Sequence, residues 1–145
     1  MQNMKRVLQS VINLDPKITE VHRNILMAEY TEQEVKEALF SIPGIKAPGP
    51  DGFGSAFYHD NWALVGTKIV EAILSFLSTG KMLKEINTTT ITLIPKATCP
   101  KSVADFRPIS CCNVLYKTAT KVICNRLRKI LLDLIADFVH GRYII

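Results

Sequence analysis

Long hydrophobic runs are missing from this sequence. No uninterrupted apolar stretch approaches the roughly 18 residues that a bilayer-crossing helix needs, and the N-terminus, MQNMKRVLQSVINLDP, lacks the apolar core and small-residue cleavage site of a secretory signal. The expectation is an intracellular protein with no membrane partner. Cysteines are few and badly spaced for a metal: Cys99, Cys111, Cys112 and Cys124 contain no CxxC pair, and His22, His59 and His140 lie far from them in sequence. That pattern argues against a zinc site, and without an export signal the four thiols read as free and buried. Low-complexity tracts and internal repeats are also absent, which excludes a solenoid or a disordered tail.

Composition is otherwise ordinary for a globular chain: 48% hydrophobic and 21% charged residues over 145 positions, enough for one domain with a core. The net charge of +5 is unevenly placed. Residues 1–95 hold nine Lys/Arg against ten Asp/Glu, whereas residues 96–130 hold eight (Lys96, Lys101, Arg107, Lys117, Lys121, Arg126, Arg128, Lys129) against Asp105 alone. A local block of this kind is what a polyanion-binding surface requires, although a solvated helix face produces the same run.

Several elements are legible from periodicity and caps. A short helix is expected over about Ile18 to Ala28 in an otherwise weakly patterned N-terminal segment, residues 1–29. In TEQEVKEALFSIPG, Thr31 and Glu34 form a capping box. Val35, Ala38, Leu39 and Ile42 make a helical stripe, and Pro43-Gly44 is the stop. KAPGPDGFG, Lys46 to Gly54, is a turn between helices. Its prolines fix φ, Gly49 and Gly52 supply positive φ or close approach, and Asp51 caps the turn rather than serving as a catalytic carboxylate. A second helix is capped by Asp60 or Asn61, with Trp62 packed in its first turn. It buries Val65, Ile69, Ala72, Ile73 and Phe76 and ends at Gly80. The β-branched run at Thr90 to Ile94 reads as a strand, as does Phe106 to Ser110, where Pro108 demands an edge. From about Asn113 to Ile135 one long amphipathic helix places Ala119, Val122, Ile123, Leu127, Ile130 and Leu134 on one face and Lys117, Lys121 and Arg128 opposite. The fold class is therefore α+β, mostly helical, with a small antiparallel hairpin (about 88–95 with 106–110) and a long amphipathic helix (about 113–135).

The ordered set KAPGPDGF, TITLIPK, FRPISCCNVLYKTATKVICNRL and FVHGR resembles the N-terminal part of the reverse transcriptase domain of plant-like, non-LTR (LINE-type) retrotransposons. The resemblance covers about residues 30–145. It implies the fingers side of a right-hand polymerase, with RNA or DNA template and deoxynucleotide as partners. By that resemblance Lys96, closing LIPK, and Arg107, in FRPIS, contact the nucleotide phosphates. A mobile point charge and a rigid fork suit that task. Template-side contacts are implied for Lys117, Lys121 and Arg128, and for the turn through Lys46 and exposed amides at Gly49 and Gly52. Cys111 and Cys112 match the pattern as packing residues.

Two-metal phosphoryl transfer needs paired carboxylates, which the family draws from a palm strand and a Tyr-x-Asp-Asp hairpin. No two aspartates are adjacent in these 145 residues, so no catalytic residue and no metal ligand is assigned, and magnesium is implied only for the intact family enzyme. LIADFVHGR also runs on without the polar Asn-Gln segment usual before that element, with His140 where a proline is usual. The expectation is a truncated reverse transcriptase fragment with nucleotide-side and template-side residues but no catalytic centre. Two other classes fit the same residues: a nucleic-acid-binding remnant, and a helical interaction protein or non-functional relic. Apolar surface meant for the missing palm would favour self-association.

Overall fold

The computed structural model describes residues 18–139. The element order is α1 (Glu20–Met27), α2 (Glu32–Phe40), α3 (Ser55–Asp60), α4 (Trp62–Thr79), β1 (Thr89–Pro95), a 3-10 turn (Val103–Asp105), β2 (Phe106–Cys112) and α5 (Val114–Val139). The expected α+β class, mostly helical with an antiparallel hairpin, is what is found. Residues 29–125 form one compact unit; among the described residues, 18–28 together with 126–139 belong to another.

The larger unit is organised by local signals. Thr31 caps α2 through its side chain on Glu34 N, and the Glu34 carboxylate returns to Thr31 N at 2.9 Å. Val35, Ala38 and Leu39 of that helix are fully buried, each a side chain whose removal from water contributes on the order of 2 kcal/mol for the larger ones. They pack with Tyr58 of α3, Ile69, Val70 and Ile73 of α4, and Val114, Ala119 and Val122 of α5. Gly80 ends α4 in the left-handed region at φ 72°.

Some expectations need correction. The six-residue helix α3 was not foreseen; SAFYHD offers no apolar period to read, and only its tertiary contacts make it helical. Neither Asp60 nor Asn61 caps α4 through a side chain: the Asn61 amide instead donates back to Phe57 O at 2.8 Å. Along α4, Ile69 and Ile73 are buried as expected, but Ala72 is exposed and Val70 takes its place in the core. At 18 residues and a mean hydropathy of 1.3, α4 is also long and apolar enough by composition to cross a bilayer, which corrects the expectation that nothing approaches that length. Within this fold its inner face is core, and Lys68 pairs with Glu71 at 2.9 Å in its middle.

Burial and charge act together at Tyr58. Its ring is 7% exposed, and desolvation first, then the Asp51 carboxylate, raise its hydroxyl from 10 to about 12. The neutral phenol is favoured in the folded state, so the unfolded chain loses this proton first as pH rises. Folding stability attributable to Tyr58 is complete below pH 10 and declines between pH 10 and about 12. Urea titrations across that window should show a steeper alkaline loss for the native chain than for Tyr58→Phe.

In the smaller unit, Thr19 caps α1 and His22 completes a capping box, its Nδ1 accepting from Thr19 N at 3.3 Å. Arg126 is 4% exposed and donates to Ala28 O, the carbonyl of the α1 C-cap residue. Two expectations for α5 change here. Arg126, counted in the basic block, is a buried helix-capping cation, and Leu127, assigned to the apolar face, is exposed, whereas Ile130 is buried as expected. The reason is spacing: 122, 126 and 130 share one stripe at i, i+4. Residues 1–17, and FVHGR with its His140 substitution, lie outside the residues described in full.

Candidate nucleic-acid interface

The hairpin supplies the frame. β1 and β2 pair antiparallel from Thr89 opposite Cys112 to Pro95 opposite Phe106, two residues beyond the expected end at Ser110. Pro108 is accommodated opposite Leu93 because each strand of a two-stranded ribbon is an edge. Side chains alternate, so Thr90, Thr92, Ile94, Arg107, Ile109 and Cys111 share one face of the ribbon. Lys96, just beyond β1, is tied across the hairpin by its backbone: Lys96 N donates to Asp105 O at 2.7 Å.

The tip is built locally. The Asp105 carboxylate accepts from Lys101 N at 2.8 Å and Ser102 N at 2.9 Å, and these backbone hydrogen bonds hold its carboxyl below its usual range. Lys96 Nζ donates to Ala104 O at 2.7 Å, which fixes the ammonium at the tip. Arg107 is exposed and makes no hydrogen bond or ion pair among the described residues. Its five donors therefore remain open to a ligand.

At the other end of the same face, Ile109 and Cys111 line a cavity of about 400 Å³ with Ile42, Lys46, Lys117 and Lys121. Lys117 Nζ donates to Ala47 O at 3.0 Å and Lys121 Nζ to Ser41 O at 3.2 Å. Both side chains are half-buried and turned toward the loop that follows α2, not splayed from a solvated helix face. No acid lines this cavity. Arg128, exposed, belongs to the smaller unit.

The turn within KAPGPDGFG is held by its own backbone and by Asn113. Gly52 N donates to Gly49 O at 3.0 Å and Gly52 has φ 76°, a turn with Pro50 at its second position. Asp51 Oδ1 accepts from Phe53 N at 3.1 Å, which makes it the expected turn cap. The Gly52 amide closes the turn instead of facing a ligand, and the α-carbon of Gly49 lies close against Asn113. Asn113 was missed as a site-forming residue. It is 3% exposed, its Oδ1 accepts from Asp51 N at 3.2 Å, and its Nδ2 donates to Glu85 O at 2.9 Å and Ile86 O at 3.2 Å. An Asn directly before a helical apolar period was the available signal. The thiols also differ from expectation: all four are free, but Cys99 and Cys124 are exposed, and only Cys111 and Cys112 are half-buried.

No protein-family model matches the chain. It is similar to the uncharacterized 149 kDa protein of transposon TX1 from Xenopus laevis, with 26% identity over 120 residues. The match covers 83% of this chain and 9% of that protein, so the chain spans a small fraction of its relative's length. This similarity supports a transposon-derived origin.

Proposed function

We propose that the chain is the nucleotide- and template-binding side of an RNA-directed DNA polymerase from a LINE-type retrotransposon, the fingers region of a right-hand enzyme. The observation that carries this reading is the hairpin register, in which Arg107 stands near the tip of the ribbon face whose base, at Ile109 and Cys111, opens onto three lysines, with Lys96 held at the same tip by its bond to Ala104 O. Arg107 and Lys96 take the triphosphate of a deoxynucleotide. Lys46, Lys117 and Lys121 contact the template backbone, with the Gly49–Gly52 turn as the support of Lys46; Arg128, in the smaller unit, is a separate nucleic-acid contact. The ordered motifs along the chain and the similarity to a transposon protein support the same assignment. Metal-dependent transfer requires carboxylates beyond those in these 145 residues, which contain no adjacent aspartates.

Triphosphate binding tests the reading. Anisotropy of a fluorescent deoxynucleoside triphosphate should report binding that Arg107→Ala weakens about tenfold to a hundredfold, the range of one charge-assisted hydrogen bond. Arg107→Lys should recover only part, since a point charge does not reproduce the fork. Primed RNA, deoxynucleotides and magnesium should yield no extension product with this polypeptide alone. Triphosphate affinity indifferent to Arg107→Ala would overturn the assignment.

A further inference from the structure

The cavity at the base of the hairpin has a composition that a simple electrostatic surface does not need. Three lysines, Lys46, Lys117 and Lys121, line it, and no acidic residue does. Two of the three are held in place by single hydrogen bonds to Ala47 O and Ser41 O, so each keeps two N–H donors unused. Fixing these side chains in advance removes most of the ordering cost that a flexible lysine brings to binding. The rest of the lining is largely apolar, with Ile42, Pro43, Ala47 and Ile109 beside Ser110 and Cys111. The volume, about 400 Å³, lies in the range of small organic ligands rather than of a bare ion. An anionic group joined to a flat, largely apolar body satisfies both halves.

We infer that this cavity holds one nucleotide unit of a single strand, its phosphate on Lys46, Lys117 and Lys121 and its base against Ile42, Pro43 and Ile109. The inference rests on the nucleic-acid reading above and adds to it a defined pocket in place of diffuse backbone contact. The ribbon rises about 3.3 Å per residue, so Cys111 at the pocket lies about 13 Å along β2 from Arg107 at the tip. The strand and the triphosphate therefore occupy separate stations on one face.

Cys111 reports occupancy because it lines the pocket, while exposed Cys99 and Cys124 serve as internal controls. The experiment uses the full chain carrying Cys112→Ser, hexauridylate and uridine 5′-monophosphate as separate probes, inorganic phosphate as a third, and alkylation rates read by mass spectrometry. At ten times its dissociation constant a probe leaves about one site in ten free, so Cys111 alkylation should slow about tenfold with Cys99 and Cys124 unchanged. Lys46→Gln, whose side chain makes no hydrogen bond among the described residues, should reduce protection. It should also lower the salt dependence of hexauridylate binding by about 0.7 in log–log slope, one phosphate contact. Hexauridylate that binds by anisotropy yet leaves the Cys111 rate unchanged overturns the pocket and spares the broader reading. Protection by uridine monophosphate without hexauridylate binding overturns the single-strand part of the inference together with the template reading, and leaves a pocket for a free nucleotide. Protection by inorganic phosphate equal to that by the nucleotide overturns the base-binding half, and protection by none of the three overturns the inference.

Discussion

Replacing Gly49 with valine should unfold the larger unit or leave it barely stable, and even Gly49→Ala should cost about 3 kcal/mol. A Cβ built on Gly49 falls 2.5 Å from the Cα of Asn113 and closer still to its amide nitrogen and Oδ1. Two of these are backbone atoms at the start of α5, so no rotamer change relieves the clash. Overpacking of this kind costs about 1–3 kcal/mol, and displacing Asn113 also breaks its bond to Asp51 N, which strands a part-buried amide at a further ~1–3 kcal/mol. Taking a urea m-value of about 2 kcal/mol/M, the alanine variant should lose about 1.5 M in midpoint. Two neighbouring glycines calibrate the result. Gly52 has open space around its Cβ position but φ 76°, so Gly52→Ala should cost about 1 kcal/mol from the left-handed backbone alone. Gly54, with φ −78° and open space, should tolerate alanine within about 0.5 kcal/mol. Equal effects at all three positions would mean that the Gly49–Asn113 approach does not hold the turn.

How much of this could be read in advance depends on the range of the interactions that decide each element. The Thr31–Glu34 box spans three residues, so α2 is legible from its own sequence. The same holds for the Gly80 stop and for the β-branched run that pairs with FRPIS. Ser55–Asp60 is helical because Ser55 donates to Pro43 O at 2.9 Å and Tyr58 enters the core, contacts that no local pattern encodes. The charged residues were the least legible. A cation on a helix reads as a surface group, yet Lys117 and Lys121 are committed to loop carbonyls 70 and 80 residues away in sequence. Arg126 sits in the buried stripe, where the Ala28 carbonyl makes its burial tolerable. Of the residues assigned to nucleic acid from sequence, Lys46, Lys117 and Lys121 do converge on one cavity. What brings them together is the turn at Gly49 and its contact with Asn113. Glycines at a turn announce backbone freedom, but not which distant residue occupies the space they leave.

Asn113→Ala should be nearly as damaging as the change at Gly49, for a complementary reason. One side chain satisfies three backbone groups from two loops: it accepts from Asp51 N and donates to Glu85 O and Ile86 O. Its own carbonyl accepts the first bond of α5, from Lys117 N at 3.1 Å. Alanine leaves three part-buried side-chain hydrogen bonds unmade, and a loss of about 3 kcal/mol is expected. The effect should also reach function. Lys46, Lys117 and the 47–52 turn are held to the hairpin base through this residue, so hexauridylate affinity should fall at temperatures where the variant is still folded. Asn113→Asp separates the two halves of the role. The aspartate keeps an acceptor for Asp51 N, but at neutral pH it sets a carboxylate against two carbonyl oxygens, which raises its pKa. Protonation restores a donor, so the stability deficit of Asn113→Asp relative to the native chain should shrink as pH falls from 7 toward 4. The deficit of Asn113→Ala should stay constant over that range. If both variants kept the same deficit across it, the two donated bonds would not be what Asn113 contributes, and only its contact with Gly49 and Asp51 would remain as the tie between turn and helix.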